Sequence, residues 1–430
     1  MKRPMISWKF KIHGVCPIGL DIGYSSVRMI QLAVNGGYRS VIAAAKTDID
    51  PTLNGDREAR RSFVISAVKR MLANGGFCGR SVVSCLSNDS LKIASLRLGQ
   101  ADDVKIEQAV KKEMQPRFGL DPDKDIVHYI VAGDVRHGDE VRSELILLAA
   151  DSSTVKNHID MLTEIGLRPV AVDAIPCALF RGFERLLQRQ EDREQTAVFV
   201  DVGSRFTTVV FGRVGEISFI KQVPIASARF DQEVAAKLGV DISGAQTLRR
   251  TVRAERSSTT VGWGLASDKA NGGGRVQQEQ DDAEDSFGAD LENSRSFDGV
   301  RQSPTLHSFG DGAQLDASTR QAVIDAVSAV AEELAKEISL CFRYYTVTFR
   351  GRRVERAVFA GGGAYEDILL NVLRRQLAVE VELAQPLKGF DLMNVDFGSD
   401  RRGLLCEWAV AVGLSLKGVA PEKTAEGKTV

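Results

Sequence analysis

An α/β fold made of two related halves is what this sequence predicts, and three observations predict it. Apolar runs of strand length alternate with segments of helical period along most of the 430 residues. The run Ile18-Gly19-Leu20-Asp21-Ile22-Gly23-Tyr24-Ser25-Ser26-Val27 is echoed by Val198-Phe199-Val200-Asp201-Val202-Gly203-Ser204-Arg205-Phe206-Thr207, with the two aspartates 180 residues apart. A third glycine element, Val358-Phe359-Ala360-Gly361-Gly362-Gly363-Ala364, carries a buried-type strand into a helix.

The elements follow in order. Strands are expected at Gly19–Gly23, Val27–Leu32 and Arg39–Ala44, then a helix over Arg57–Ala73 with Val64, Val68, Met71 and Leu72 on one side. Ser81–Leu86 and Ser90–Leu98 read as strands. Asp103 can cap a helix running to about Gln115, Ile126–Ala132 and Val141–Ala149 read as strands, and Asp151 caps a helix that ends at Gly166. That helix–strand–strand–helix unit reads as an insertion. A helix begins near Ile175, with Asp173 as its expected cap. After the charged connection Gln188–Gln195, strands at Ala197–Asp201 and Thr207–Phe211 open the second half. Residues 253–316 are rich in Gly, Ser, Asp, Glu and Gln, and are expected to be disordered because they bury too little apolar area to offset ordering entropy. A long helix over Thr319–Tyr345, a strand at Val354–Ala360, a helix near Glu366–Leu377, a strand at Val379–Leu383 and a helix at Gly403–Leu416 complete the chain.

Composition narrows the function. With 56 Lys+Arg against 57 Asp+Glu the net charge is −1, which disfavours a nucleic-acid protein that depends on a basic surface. Six cysteines without a C-x-x-C pair fit a reducing compartment, and the five histidines show no metal spacing. Gly427-Lys428-Thr429 imitates the end of a P-loop, but Glu422 stands where its first glycine belongs. The basic segment around Met5, Ile6, Trp8 and Phe10 reads as a terminal extension packed on its own domain. The paired Asp-x-Gly hairpins suit phosphate: a glycine turn lets backbone N–H groups face an anion, a hydroxyl adds a donor, and Asp21 and Asp201 can hold Mg²⁺ through water. The glycines at 361–363 let a ligand lie against backbone.

Two hairpins and a late glycine strand resemble the actin-like superfamily. Within it, the chain resembles the PilM family of type IV pilus assembly proteins. The resemblance rests on Gly19–Gly23 through Val27-Arg28, on Ile106–Glu113, Leu147–Ala150, Val172-Asp173, Asp201–Gly203, Phe342–Tyr345, Gly361–Ala364 and Ala411–Leu414. It implies a duplicated, ribonuclease H-like α/β fold with two lobes around a nucleotide cleft. It also implies subdomain 1A at 18–100 and 169–195, an inserted 1C at 101–168, 2A at 196–240 and 354–420, and 2B at 241–353. An extension at 1–17 and a polar tail at 421–430 flank them.

For function the resemblance implies an ATP-binding scaffold with weak or absent hydrolysis, working with Mg²⁺ at the inner face of the bacterial inner membrane. Its partner would be the cytoplasmic tail of a PilN-like membrane protein, alongside other secretion components and possible ring-forming copies of itself. The implied nucleotide contacts are Asp21, Gly23, Tyr24, Ser25, Ser26, Asp201, Gly203, Ser204, Thr207, Gln246, Arg249, Gly361, Gly362, Gly363 and Ala364. Val110 and Met114 are candidate anchors of the partner groove. The chain departs from the family pattern at Tyr24, at Arg28 in place of lysine, at Ala226-Ser227 in place of Gly-Gly, and at Gln246 in place of an acidic residue. Two alternatives share the fold: a small-molecule kinase, for which Asp173 is the candidate base, and an FtsA-like division filament, which expects a membrane helix where Pro421–Val430 is short and polar.

Overall fold

The structure is a computed structural model that describes residues 14–35, 38–99, 103–137, 140–187, 195–264, 315–349, 353–397 and 405–418. In chain order these form β1 (Ile18–Ile22), β2 (Ser26–Asn35), β3 (Tyr38–Asp48), α1 (Arg57–Asn74), β4 (Ser81–Leu86), β5 (Lys92–Gly99), α2 (Asp103–Phe118), β6 (Ile126–His137), β7 (Glu140–Ala150), α3 (Ser152–Ile165), β8 (Arg168–Ala174) and α4 (Ile175–Glu184). There follow β9 (Thr196–Val202), β10 (Thr207–Arg213), β11 (Glu216–Val223), α5 (Ser227–Leu238), α6 (Ile242–Gly264), α7 (Ala317–Thr348), β12 (Val354–Ala360), α8 (Asp367–Gln376), β13 (Glu380–Leu383) and α9 (Ala409–Ser415).

The duplication expected from the echo is present in the strand order. One sheet runs β3-β2-β1-β4-β8 and the other β11-β10-β9-β12-β13, so each half has three antiparallel strands followed by two parallel ones. Buried Ile18, Leu20, Val27 and Met29 of the first sheet meet Val64, Val68 and Met71 of α1, which Asp56 caps by accepting from the N–H groups of Glu58 and Ala59 at 3.0 Å. The second sheet packs on α4 and on α7, with Phe199 stacked on Phe183 at 5.2 Å and Phe211 on Tyr345 at 4.8 Å. Each such fully buried ring or branched aliphatic contributes about 1.5–3 kcal/mol.

The inserted unit differs from its expected bounds of 101–168. Its sheet is β5-β7-β6, so β5 belongs to it, and α2 covers one face through Ile106, Val110 and Met114 against Leu96, Leu145 and Leu147. Helix α3 instead joins the first lobe, burying Leu162 and Ile165 beside α1 and β8. Its caps are as expected: Asp151 accepts from Thr154 N–H at 2.9 Å, and Gly166 closes it with a φ of 92°. The other face of the inserted sheet, with Ala132, Ile146 and Leu148, packs into the second lobe's core.

Three further expectations are corrected. Residues 253–264 are helical, continuing α6, and Leu315 and Asp316 are ordered: Leu315 is buried and Asp316 caps α7 through Thr319 N–H at 2.9 Å. Expected disorder at 265–314, the segment before Gly14 and the polar tail lie outside the described residues. Composition alone missed that Val252 is buried against α7 and that Glu255 pairs with Arg320 at 2.9 Å. The closing helix α9, expected with the second lobe, packs on β1 and α4. Residues 14–17, expected in an extension, partly join the first sheet, where Cys16 N–H donates to Leu32 O at 2.8 Å.

His158 on α3 ties that helix to the first sheet. Its Nε2 lies 3.1 Å from Ser84 Oγ, which donates to Leu20 O at 2.9 Å and so accepts from an Nε2–H tautomer. Burial pulls the imidazole from the ordinary 6.5 to about 4. The unfolded chain therefore binds a proton that the native state refuses, and stability falls as pH drops from 6.5 toward 4. Substitution His158→Gln, which keeps a donor, is expected to flatten this acid limb in urea melts taken across that range. Deleting residues 253–316 is expected to lower the melting temperature, because it removes Glu255, Leu315 and the Asp316 cap together.

Candidate functional site

The two sheets present their matching hairpins to one cleft of about 1320 Å³ between the lobes. Both turns close with the same bond: Gly23 N–H donates to Ser26 O at 3.0 Å, and Gly203 N–H donates to Phe206 O at 3.1 Å. The echo seen in sequence is therefore an echo in backbone geometry. Asp21, Gly23, Tyr24, Ser25, Ser26, Asp201, Gly203, Ser204, Gln246, Arg249, Gly361 and Gly362 all line the cleft.

Three expected residues do not. Thr207 is fully buried and spends its hydroxyl on Ile225 O at 2.6 Å, because its place in β10 points it away from the turn. Gly363 and Ala364 are buried behind the cleft wall, where a side chain on Gly363 would strike Val202. Val110 and Met114 are corrected as groove anchors: at 2% and 0% exposure they are core between α2 and the inserted sheet. Asp173 caps no helix and is not in the cleft lining. Its carboxylate pairs with Arg181 at 2.9 Å and Lys417 at 3.1 Å. Burial raises its pKa, but those two cations outweigh burial and hold it below the ordinary value, so it is no poised base.

Gly361 is where the third glycine element meets the second hairpin. It adopts a φ of +85°, and a Cβ there would lie 2.5 Å from both Asp201 Oδ1 and Val202 O. Only a glycine allows the β12 strand end to close against the aspartate. Asp21 and Asp201 are both at the cleft floor, and burial followed by the Asp21 charge pushes the Asp201 carboxyl up to about 7, with Arg28 opposing. Asp21 is likewise raised by burial and opposed by Arg28, whose Nη1 lies 3.6 Å from its Oδ2. Among the described residues no third carboxylate, histidine or cysteine joins the pair in a metal-binding group. The two aspartates expected to share Mg²⁺ thus already have a guanidinium on one member, and the donor set does not fit a metal cradle.

On the far wall the expected Arg249 and Gln246 are held by partners that sequence reading missed. Arg249 on α6 pairs with Asp231 of α5, donates from its second Nη to Glu366 at 3.0 Å, and lies over the Phe230 ring at 5.0 Å. Gln246 Nε2 donates to Asp231 Oδ2 at 3.2 Å. The signal for Asp231 was present: it is an acidic residue set between Phe230 and Val234 on the buried side of an amphipathic helix. Arg60 and Arg205 flank the Tyr24 ring at 5.4 and 5.0 Å, and Arg60 also donates to Gly23 O at 2.7 Å, fixing the first turn from behind. Against these satisfied groups stand three buried donors with no protein partner: Ser26 Oγ, Arg28 Nε and Arg249 Nε, each on a residue of the cleft lining. Unpaired buried donors are costly, and an anionic ligand with many oxygens would satisfy them.

Removing Arg249 would leave Asp231 and Glu366 as buried, unpaired carboxylates. Arg249→Ala is expected to destabilise the fold by about 3–5 kcal/mol in denaturant titration. Arg213→Ala, whose half-buried i,i+3 partner is Glu216, should cost less, about 1 kcal/mol.

No family model matches the chain. Among solved structures, it is similar to a chain of the PilM-PilN type IV pilus biogenesis complex, at 19% identity and a TM-score of 0.67, covering 96% of this chain and 100% of that one. Weaker likenesses are to the ethanolamine utilization protein EutJ from Carboxydothermus hydrogenoformans (11% identity, 93% and 89% covered, TM-score 0.47) and to MreB5 of Spiroplasma citri bound to ADP (10% identity, 92% and 94% covered, TM-score 0.41). The first of these likenesses, end to end over both chains, shows that this protein has the actin-like, two-lobed fold.

Proposed function

We propose that this chain is a nucleotide-binding scaffold of the PilM type, which binds ATP in the cleft and docks the cytoplasmic tail of a PilN-like membrane protein at the inner face of the inner membrane. One observation carries the nucleotide half of this reading. Two identically closed Asp-x-Gly turns and a glycine strand end converge on a cleft that holds three unpartnered buried donors. Backbone turns of this kind cradle phosphates, and the donors supply hydrogen bonds that neutral solvent-exposed loops lack. The partner half is supported by the full-length likeness to a protein solved together with PilN. No helix among the described residues is long and apolar enough to cross a membrane, so any membrane attachment of those residues would go through a partner or the surface.

The partner site would lie where the first lobe meets the inserted sheet. Val110 and Met114 lie behind that surface as core, so exposed neighbours on α2 such as Val104, at 64% exposure, are the side chains a tail would meet. Recognition by a few apolar anchors of that kind gives affinity without chemistry.

Gly362 offers a clean test, because it lines the cleft and nothing lies within 4 Å of the Cβ it lacks. Gly362→Glu is expected to fold with the wild-type melting temperature while losing the thermal shift that ATP gives the wild-type protein. A wild-type melting curve unmoved by ATP would overturn the nucleotide reading. A PilN-type tail peptide should be retained equally by wild type and Gly362→Glu, and Val104→Glu should weaken it. Failure of wild type to retain the peptide would remove the partner assignment.

A further inference from the structure

We propose that Arg28 is the resident cation of the Asp21–Asp201 pair, so that the cleft takes the phosphate chain of a nucleotide on a guanidinium and does not require a divalent metal ion. The inference rests on the nucleotide reading given above for the same cleft.

The argument begins in the β-ladder. Asp21 and Arg28 are directly opposite each other in the antiparallel pairing of β1 with β2. Opposite residues share a face of the sheet, so the guanidinium is delivered to the carboxylate by register alone. The observed separation is 3.6 Å from Nη1 to Oδ2, with both side chains nearly buried. The same Nη1 lies 3.8 Å from where a Cβ on Gly23 would be, which sets the guanidinium against the first hairpin turn. Its influence reaches both carboxylates, since its charge opposes the burial that raises each of them.

The second hairpin makes the comparison internal to the molecule. There the residue opposite Asp201 is Thr208, whose hydroxyl accepts from Asn88 at 3.2 Å. A duplicated turn thus carries a cation in one copy and a neutral hydroxyl in the other, and the two copies meet across one cleft. Two carboxylates facing one guanidinium leave less negative charge to attract Mg²⁺ than a bare pair would. A metal ion would also have to displace a tethered cation at its first ligand.

Two other arginines of the lining are engaged with carboxylates: Arg205 pairs with Asp89 at 3.0 Å, and Arg249 holds Asp231 and Glu366. Arg60, behind the first turn, donates to Gly23 O, Tyr24 O and Asn54 Oδ1. Arg28 keeps a buried Nε without a protein partner beside the first turn. That is the donor a phosphate oxygen would take, in the charge-assisted geometry that guanidinium favours over a point cation.

Two measurements on the full-length protein test this. The first uses Mn²⁺ alone, followed by electron paramagnetic resonance without nucleotide. Wild type is expected to leave Mn²⁺ free, Arg28→Ala to bind it, and Arg28→Ala with Asp21→Asn to lose it again. Wild type binding Mn²⁺ as well as Arg28→Ala does would overturn the proposal. The second follows a fluorescent ATP analogue with EDTA or with Mg²⁺. Wild-type affinity should change less than about threefold between the two, whereas Arg28→Ala should weaken by more than about tenfold in EDTA and recover with Mg²⁺. Arg28→Lys should behave nearer to wild type. Wild-type binding seen only with Mg²⁺ would overturn the proposal without any variant having to fold. Absence of binding under both conditions would instead overturn the nucleotide reading, and the Mn²⁺ result would still decide the role of Arg28.

Discussion

The close crossing of α4 and α9 is the constraint on which the rest of the molecule depends. The chain leaves the first lobe through α4, and the closing helix α9 packs back on α4 and on β1. The helices approach until the missing side chain of Gly413 faces Ala178 O, and Gly182 faces Ala409 O in return. Arg181 donates to Gly413 O at 2.9 Å and is itself held by Asp173, which Lys417 also pairs. Asp173 therefore stabilises the joint.

Around that axis the same architecture has been used twice with different side chains. Strand order, strand polarity and the turn hydrogen bond are repeated, while charge is not: Arg28 faces Asp21 and Thr208 faces Asp201. Backbone hydrogen bonding supports the repeat at every position, so a side chain at the cleft can change without loss of the scaffold. Two clusters of buried ionic groups, Arg28 with Asp21 and Arg249 with Asp231 and Glu366, lie in the cleft wall, while Asp173 and Glu144 are paired elsewhere. Such groups add little net stability, and removing one partner is far worse than never having had the pair.

Much of this was legible in the sequence because its signals are local. Alternation and a repeated D-x-G locate β1, β2, β9 and β10 to within a few residues, and Asp151 with Gly166 brackets α3 at both ends. Signals that depend on distant partners were not legible. Thr207 looks like a phosphate ligand in a ten-residue window, yet strand alternation turns it toward Ile225. Val110 and Met114 have the spacing of both a groove and a core, and only the position of the inserted sheet decides between them. Polar residues 253–264 read as disorder because their helix is held by contacts such as Glu255 with Arg320, sixty-five residues away in sequence. The Arg249–Asp231–Glu366 cluster joins three separate helical segments or their caps, and no window contains it.

The inserted sheet changes how the two lobes can move. Its inner face lies in the second lobe's core while its strands stay continuous with the first-lobe chain, and Asn88 accepts from Gln222 at 2.8 Å beside it. Arg97 bridges buried Glu144, at 2.6 Å, to the Tyr344 hydroxyl of α7 at 3.3 Å. A hinge alone would leave one rotational degree of freedom; a hinge with a strut at a distance from it is a closed linkage. Any displacement of the lobes about the α4–α9 joint would have to strain the Arg97–Glu144–Tyr344 contact, which ties the inserted sheet to α7 away from that joint.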